Sequence, residues 1–302
     1  TKGTYTLRRP QTPKAPFPYL TEEVTFFNAA DNSTLAGTLT YPVGYKATDK
    51  VPVVIMVSGS GLQNRDEEIF SHKPFLVIAD YLARNGIASL RYDDRAYGAS
   101  TGGDRVGSKA LTPDYMRDAQ AGTDYLRRLN KFSLIGVLGH SEGANIAFML
   151  GSRQCADFVI SMAGVGVRVD EALTEQYNAI LQSQGQPMKI DAAQYRKIAQ
   201  TANSEWMNWF IDYDPAADIT ATACPVLAIN GDKDCQVISS QNLPAIKKQL
   251  QKNPQNLVKE YPSLNHLFQH CQTGLPAEYN DIEETIAPEV LSDIAKWINS
   301  LK

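Results

Sequence analysis

The sequence predicts an α/β protein in which a mainly parallel β-sheet is covered by helices on both faces. Three observations carry this. Residues 51–57, Val-Pro-Val-Val-Ile-Met-Val, form an unbroken apolar run, as a strand buried on both faces requires. Strand-like and helix-like stretches alternate along most of the chain, the pattern of βαβ units. A further apolar, partly β-branched stretch, residues 132–138, runs into the turn Gly139-His140-Ser141-Glu142-Gly143 and then into small and apolar helix-forming residues.

The 302 residues give room for one large α/β domain or two small ones. Hydrophobic residues make up 43% and charged residues 21%, with a formal net charge of −4. These are ordinary values for a globular chain. Without a long run of like charge, nucleic acid and anionic membranes are disfavoured as main partners. No stretch reaches the roughly 18 consecutive apolar residues of a spanning helix, so no membrane insertion is expected. No signal peptide is visible, and Thr1 rather than Met begins the chain, so compartment is not fixed by this end. The four cysteines, Cys155, Cys224, Cys235 and Cys271, lack metal-ligand spacing, and no metal is expected.

Residues 1–20 hold Pro10, Pro13, Pro16 and Pro18 with few core-forming side chains, and read as an extended arm or linker. Residues 22–28 and 34–41 read as a hairpin turned at Asp31-Asn32-Ser33. After the 51–57 strand comes the loop Ser58-Gly59-Ser60-Gly61. Residues 73–85 read as a helix stopped by Gly86, and residues 87–92 as the next strand, followed by a polar loop over 93–98. Thr112 reads as the cap of a helix with Pro113 at its first position, running to about Asn130. The elbow strand and helix follow, then a strand over 157–162. From 165 to 223 the rhythm breaks into polar, helix-prone sequence with Trp206, Trp209, Phe210 and Tyr213 clustered. The sheet resumes over 225–230, with a helix over 243–251, a strand over 256–261 and a closing helix over 282–301. The expected organisation is an arm over 1–20, a core over 21–164 and 224–302, and a helical cap inserted over 165–223.

Gly139-His140-Ser141-Glu142-Gly143 fits G-x-S-x-G, the nucleophile elbow. Crowding explains the pattern: the turn holds its serine in a strained conformation, and only glycine lets neighbouring backbone come so close. The serine hydroxyl then stands at a helix N-terminus, where developing negative charge is favoured. A serine nucleophile needs a base, and the base an orienting carboxylate; in elbow folds they follow in the order Ser, Asp or Glu, His, at the ends of later strands. Asp234, in Asn230-Gly231-Asp232-Lys233-Asp234, takes the acid position with Asp232 as competitor. His266 follows the 256–261 strand and takes the base position, with His270 one helical turn on as its competitor. The oxyanion hole needs two backbone N–H groups. They are assigned to Glu142, next after the nucleophile, and to Ser60, with Gly61 second.

With these residues in view, the chain resembles the α/β-hydrolase superfamily, and within it the bacterial esterases of the Thermotoga esterase D type, close to serine-aminopeptidase-like hydrolases. The resemblance rests on Ser58-Gly59-Ser60-Gly61, Asn64-Arg65-Asp66-Glu67, Arg91-Tyr92-Asp93-Asp94-Arg95, the elbow, Gly231-Asp232-Lys233-Asp234 and Leu264-Asn265-His266-Leu267-Phe268-Gln269. It implies a mostly parallel eight-stranded sheet, a helical cap, and ester hydrolysis without metal or cofactor. Two positions depart from the pattern. Ser58 stands where many relatives have histidine, and Ala96 replaces the glycine common after Asp-Asp-Arg.

The expected function is hydrolysis of small acyl, acetyl-type esters through Ser141, His266 and Asp234, with a small-molecule ester as partner. A serine peptidase or an acyltransferase on the same triad stays open. Trp206, Trp209 and Phe210 are candidate substrate contacts in the roof. Arg65, Asp66, Asp93 and Arg95 read more readily as an ion network pinning loops than as a substrate site. Cys235 adjoins the acid and Cys271 follows the base by five residues, so a disulfide between them is open. The prolines and that pairing lean toward a secreted or periplasmic setting, with the cytoplasm not excluded. Oligomeric state is not legible.

Overall fold

The protein is described by a computed structural model over residues 6–301. The hairpin strands are β1, Thr21–Asn28, and β2, Ser33–Thr40, paired antiparallel. β3, Val51–Val57, leads through a long loop to helix α1, Pro74–Arg84, and to β4, Ala88–Tyr92. A two-residue strand β5, Thr101–Gly102, pairs with β2 at the rim. Helix α2, Thr112–Leu129, precedes β6, Phe132–His140, and α3, Glu142–Ser152, follows the elbow into β7, Phe158–Met162. Four helices then intervene: α4, Val169–Ser183; α5, Ala192–Gln200; α6, Glu205–Phe210; and α7, Ala216–Ala221. β8, Val226–Gly231, α8, Ser239–Gln249, β9, Leu257–Tyr261, and α9, Pro288–Ser300, complete the chain.

The sheet runs in the order β1-β2-β4-β3-β6-β7-β8-β9, with β5 an extra edge piece on β2. β1, β2 and β5 pair antiparallel, as does β2 with β4; every pairing from β4 through β9 is parallel. Among the described residues the expected eight strands are thus present, and the short β5 makes a ninth. Two apolar layers cover the sheet. One packs α2 and α3 through Ala119, Leu126, Ile146 and Phe148 against Leu35, Ile55 and Val137. The other packs α1 and α9 through Ile78, Leu82, Ile294 and Trp297 against Val54, Leu138, Ile160 and Ile229. Parallel strands point their C-terminal ends the same way, so the loops after β3, β6, β8 and β9 gather at one rim, where sites of such sheets lie.

Several local expectations shift. Leu111 rather than Thr112 is the cap of α2, and Pro113 is its second residue. The Asp114 carboxylate accepts the Leu111 amide at 2.7 Å, while the Thr112 hydroxyl is drawn to Glu142 at 2.6 Å. The closing helix begins at Pro288, not residue 282, because proline suits a first turn but cannot donate to one before it. α8 begins at Ser239, upstream of the expected residue 243, and carries Pro244 inside it. The described part of the N-terminal arm is docked rather than trailing. Arg9 donates to the carbonyls of Phe70 and Asn280, both at 2.8 Å, and Gln11 donates to that of Ile286 at 2.6 Å. Residues 1–5 of the arm lie outside the described residues.

Candidate active site

The elbow has the expected strain. Ser141 sits at φ 56°, ψ −121° between β6 and α3, a backbone state that costs a side-chain-bearing residue of order 1–3 kcal/mol. Hydrogen bonds hold it there, from its amide to the Met162 carbonyl at 2.8 Å and from the Ala144 amide to its own carbonyl at 3.0 Å. Close approach explains both glycines of the motif. A Cβ on Gly139 would stand 1.9 Å from the Gly143 carbonyl oxygen, and one on Gly143 would stand 2.1 Å from that of Val57.

Asp234 follows β8 and is buried. Its Oδ1 accepts the amides of Gln236 and Val237 at 2.8 and 2.9 Å, which fixes the turn. Its Oδ2 is left to meet His266 Nδ1 at 2.7 Å. Asp232 is occupied elsewhere, accepting the Ser263 amide at 2.6 Å in an exposed turn. The His266 loop is shaped by Asn265, whose Oδ1 accepts the amides of Leu267 and Gln269, both at 3.0 Å. His270 faces away, bridging Glu284 and Glu289 at 2.8 and 2.9 Å on the surface. The competitors for acid and base are therefore both engaged outside the cavity.

Ser141 and His266 line one cavity of about 400 Å³ together with Ser60, Glu142, Trp206 and Phe210. No hydrogen bond joins Ser141 to His266 here; such bonds are often long until substrate is bound. The amides of Ser60 and Glu142 donate to no protein acceptor among the described residues, whereas that of Gly59 is taken by Glu67 Oε1 at 2.8 Å. Trp206 and Phe210 stack with ring centres 5.0 Å apart over the cavity. Trp209, also expected to contact substrate, lies away from it, stacked on Tyr213 at 5.3 Å. On α6 consecutive residues stand about 100° apart, so Trp209 and its neighbour Phe210 flank Trp206 on opposite sides, and Trp209 turns to Tyr213 while Phe210 turns to the cavity.

Sequence reasoning assigned no role to three features of the rim. The Glu142 side chain is a hub: Oε2 accepts from the Ser60 hydroxyl at 2.7 Å, and Oε1 from the Thr112 hydroxyl at 2.6 Å and the Trp206 indole at 2.9 Å. Glu67 and His140 form a buried pair at 3.0 Å. A second cavity of about 310 Å³ lies across the Ser60–Glu142–Trp206 wall, with Asp94 in its lining. Burial, then the nearby Asp118 and Glu142 carboxylates, push the Asp94 carboxyl well above the ordinary range. Only the position of Glu142 and His140 on either side of Ser141 could have drawn attention to them.

The ionic residues flagged in the sequence make an internal network. Arg65 pairs with Asp93 at 2.9 Å, Arg91 with Asp66, and Arg95 with Asp118 at 2.7 Å and Asp31 at 3.2 Å. None of Arg65, Asp66, Asp93 and Arg95 lines the cavity of Ser141. Ala96, in place of glycine, is held at φ 54°, which explains why glycine suits that position. All four cysteines are free. The Cys235 and Cys271 thiols are turned to different carbonyls, of Gly274 at 3.2 Å and Ser263 at 3.4 Å, and no disulfide joins them. Among the described residues no cluster fit to hold a metal ion is found, and no helix is long and apolar enough to cross a membrane.

Comparison with known proteins agrees with this fold. The serine aminopeptidase S33 family model matches residues 72–204, a span that includes Ser141 but not Asp234, His266 or Ser60. Esterase EstD of Thermotoga maritima is 28% identical over 279 residues, covering 87% of this chain; the chain spans only 65% of that relative's length. An esterase of Pyrococcus furiosus superposes with a TM-score of 0.63 at 16% identity, covering 99% of both chains. Est1E of Butyrivibrio proteoclasticus superposes with a TM-score of 0.57 at 15% identity, covering 92% of this chain and 96% of that one. Sheet order, elbow and these matches together show that the chain has the α/β-hydrolase fold.

Proposed function

We propose that this chain is a serine carboxylester hydrolase acting on small acyl, acetyl-type esters. The observation that carries the reading is the 2.7 Å contact of His266 with Asp234 on the rim of the cavity that Ser141 also lines. In this reading His266 takes the proton from the Ser141 hydroxyl as its oxygen attacks the ester carbonyl. The carbonyl π electrons move onto oxygen, and the amides of Ser60 and Glu142 hold that oxyanion. Collapse expels the alcohol, protonated by His266, and leaves an acyl-enzyme. Water, deprotonated by His266, repeats the sequence and frees the acid. Asp234 keeps the imidazole in the tautomer with Nε2 toward the serine and stabilises its charged form.

The likeness to EstD, named an esterase, supports the ester class. A specific observation disfavours the peptidase alternative. A substrate amine calls for a carboxylate in the roof, yet the acids lining the cavity are Glu67 and Glu142. Neither belongs to the cap helices, and both carboxylates are occupied by protein donors. The roof of Trp206 and Phe210 and the modest cavity favour a small acyl group. The test is a panel of p-nitrophenyl acyl esters and aminoacyl anilides, with Ser141→Ala as control. Hydrolysis of acetyl ester, lost in the variant, is the expected result. Turnover of anilides alone, or of acetyl ester by the variant, would overturn the proposal.

A further inference from the structure

Beside the cavity lies a second histidine–carboxylate pair that the proposed reaction leaves without a role. His140 precedes the nucleophile and is buried. Its Nδ1 stands 3.0 Å from Glu67 Oε1, and its Nε2 stands 2.9 Å from the main-chain oxygen of His266. An ionised carboxylate and a peptide carbonyl are both acceptors only. A neutral imidazole has one N–H and can serve one of them; an imidazolium has two and serves both. The same Oε1 of Glu67 accepts the Gly59 amide at 2.8 Å, at the head of the loop that carries Ser60.

Three separate loops therefore meet on this pair: the loop after β3 through Gly59, the elbow through His140, and the base loop through the His266 carbonyl. The ring centres of His140 and His266 are 4.8 Å apart. The other groups facing His140 are the Asp234 charge and the edge-on ring of Phe268. Burial disfavours a charged His140, but the adjacent Glu67 carboxylate outweighs it and raises the ring's pKa above the usual histidine value.

We infer that Glu67 and His140 are a positioning pair: a His140 imidazolium, anchored by Glu67, clamps the main chain of His266 and the oxyanion loop in register with Ser141. This rests on the ester hydrolase reading given above. The pair touches no reacting atom. Its effect comes through geometry, and a misplacement of about 1 Å in such a site costs ~100-fold in rate. A plain buried ion pair, by contrast, would contribute to stability alone.

The test combines ring NMR with kinetics. In the unmodified protein at pH 7, the ¹⁵N–¹H spectrum of His140 is expected to show protons on both ring nitrogens. In Glu67→Gln, which keeps the shape and an acceptor oxygen, it is expected to show one. That variant should lose ~10–100-fold in kcat on the acetyl ester with KM changed less than about 3-fold. A single ring proton in the unmodified protein overturns the inference and needs no variant to fold. A Glu67→Gln enzyme with lowered Tm but unchanged kcat overturns it as well, leaving only a structural ion pair. Labelling of Ser141 by a fluorophosphonate in the unmodified protein tests the parent reading separately. Without labelling the hydrolase reading fails, whatever the NMR result.

Discussion

The indole N–H of Trp206, on a six-residue helix above the sheet, donates to the carboxylate of Glu142, the residue after the elbow serine, at 2.9 Å. This contact ties roof to floor. It also builds the partition between the cavity of about 400 Å³ that holds Ser141 and the one of about 310 Å³ beside Asp94. Trp206→Ala should open that partition. The expected outcome is a shift of kcat/KM toward longer acyl chains, about 10-fold for octanoyl over acetyl relative to the unmodified enzyme, the scale of hydrophobic pocket discrimination. Steady-state rates on a chain-length series of p-nitrophenyl esters would measure it. Trp206→Phe keeps the bulk and should shift the series less.

Removing members of the proposed triad should separate chemistry from folding. Ser141→Ala is expected to lower kcat by ~10⁴–10⁶, and Asp234→Asn by about 10⁴ through the wrong His266 tautomer. Asp234→Asn retains an amide oxygen for the Gln236 and Val237 amides that Oδ1 now accepts. Circular dichroism and Tm should therefore change little, while single-turnover rates collapse.

The elbow glycines should tolerate no side chain. A Cβ at Gly143, in the first turn of α3, meets the backbone oxygen of Val57 at the end of β3 at 2.1 Å, and both helix and strand are buried there. Gly143→Ala is expected to cost several kcal/mol, the upper range for single substitutions. Urea unfolding would show it, or loss of soluble protein if the penalty exceeds the protein's total stability.

The Asp31 carboxylate provides a pH-dependent contribution with a defined sign. Burial raises its pKa, but hydrogen bonds from Arg117, Asn28 and Arg95 outweigh this and hold it at about 2. The folded pKa lies below the unfolded value near 3.9. The contribution is therefore complete above about pH 4 and is lost as pH falls toward 2. By linkage it is worth about 2 kcal/mol at neutral pH. Asp31→Asn should lower urea stability at pH 7 by at least about that amount. The difference from the unmodified protein should shrink as both are titrated toward pH 2.

Much of the site was legible because its signals are local. The elbow is written in five consecutive residues, and apolar runs such as Val51–Val57 declare buried strands without reference to anything distant. Strand ends, in turn, narrowed the acid to Asp232 or Asp234 and the base to His266 or His270. Helix ends were less legible. Thr112 looked like a cap, but its hydroxyl found a stronger partner in Glu142, thirty residues away, and Asp114 served the cap position instead. Trp209 carried the same composition signal as Trp206, yet the turn of α6 sends it to Tyr213.

The sequence by itself determined the alternating α/β architecture and the strained serine turn. These follow from hydrophobic period, glycine sterics and turn chemistry, which act over a few residues. Only the tertiary structure decided that Asp234 rather than Asp232 meets His266, that Glu142 is shared by Ser60, Thr112 and Trp206, and that His140 spans Glu67 and the His266 carbonyl. Those pairings join residues as much as 126 positions apart. Their hydrogen bonds depend on sub-ångström packing of separate loops, for which no local pattern in the chain supplies a code.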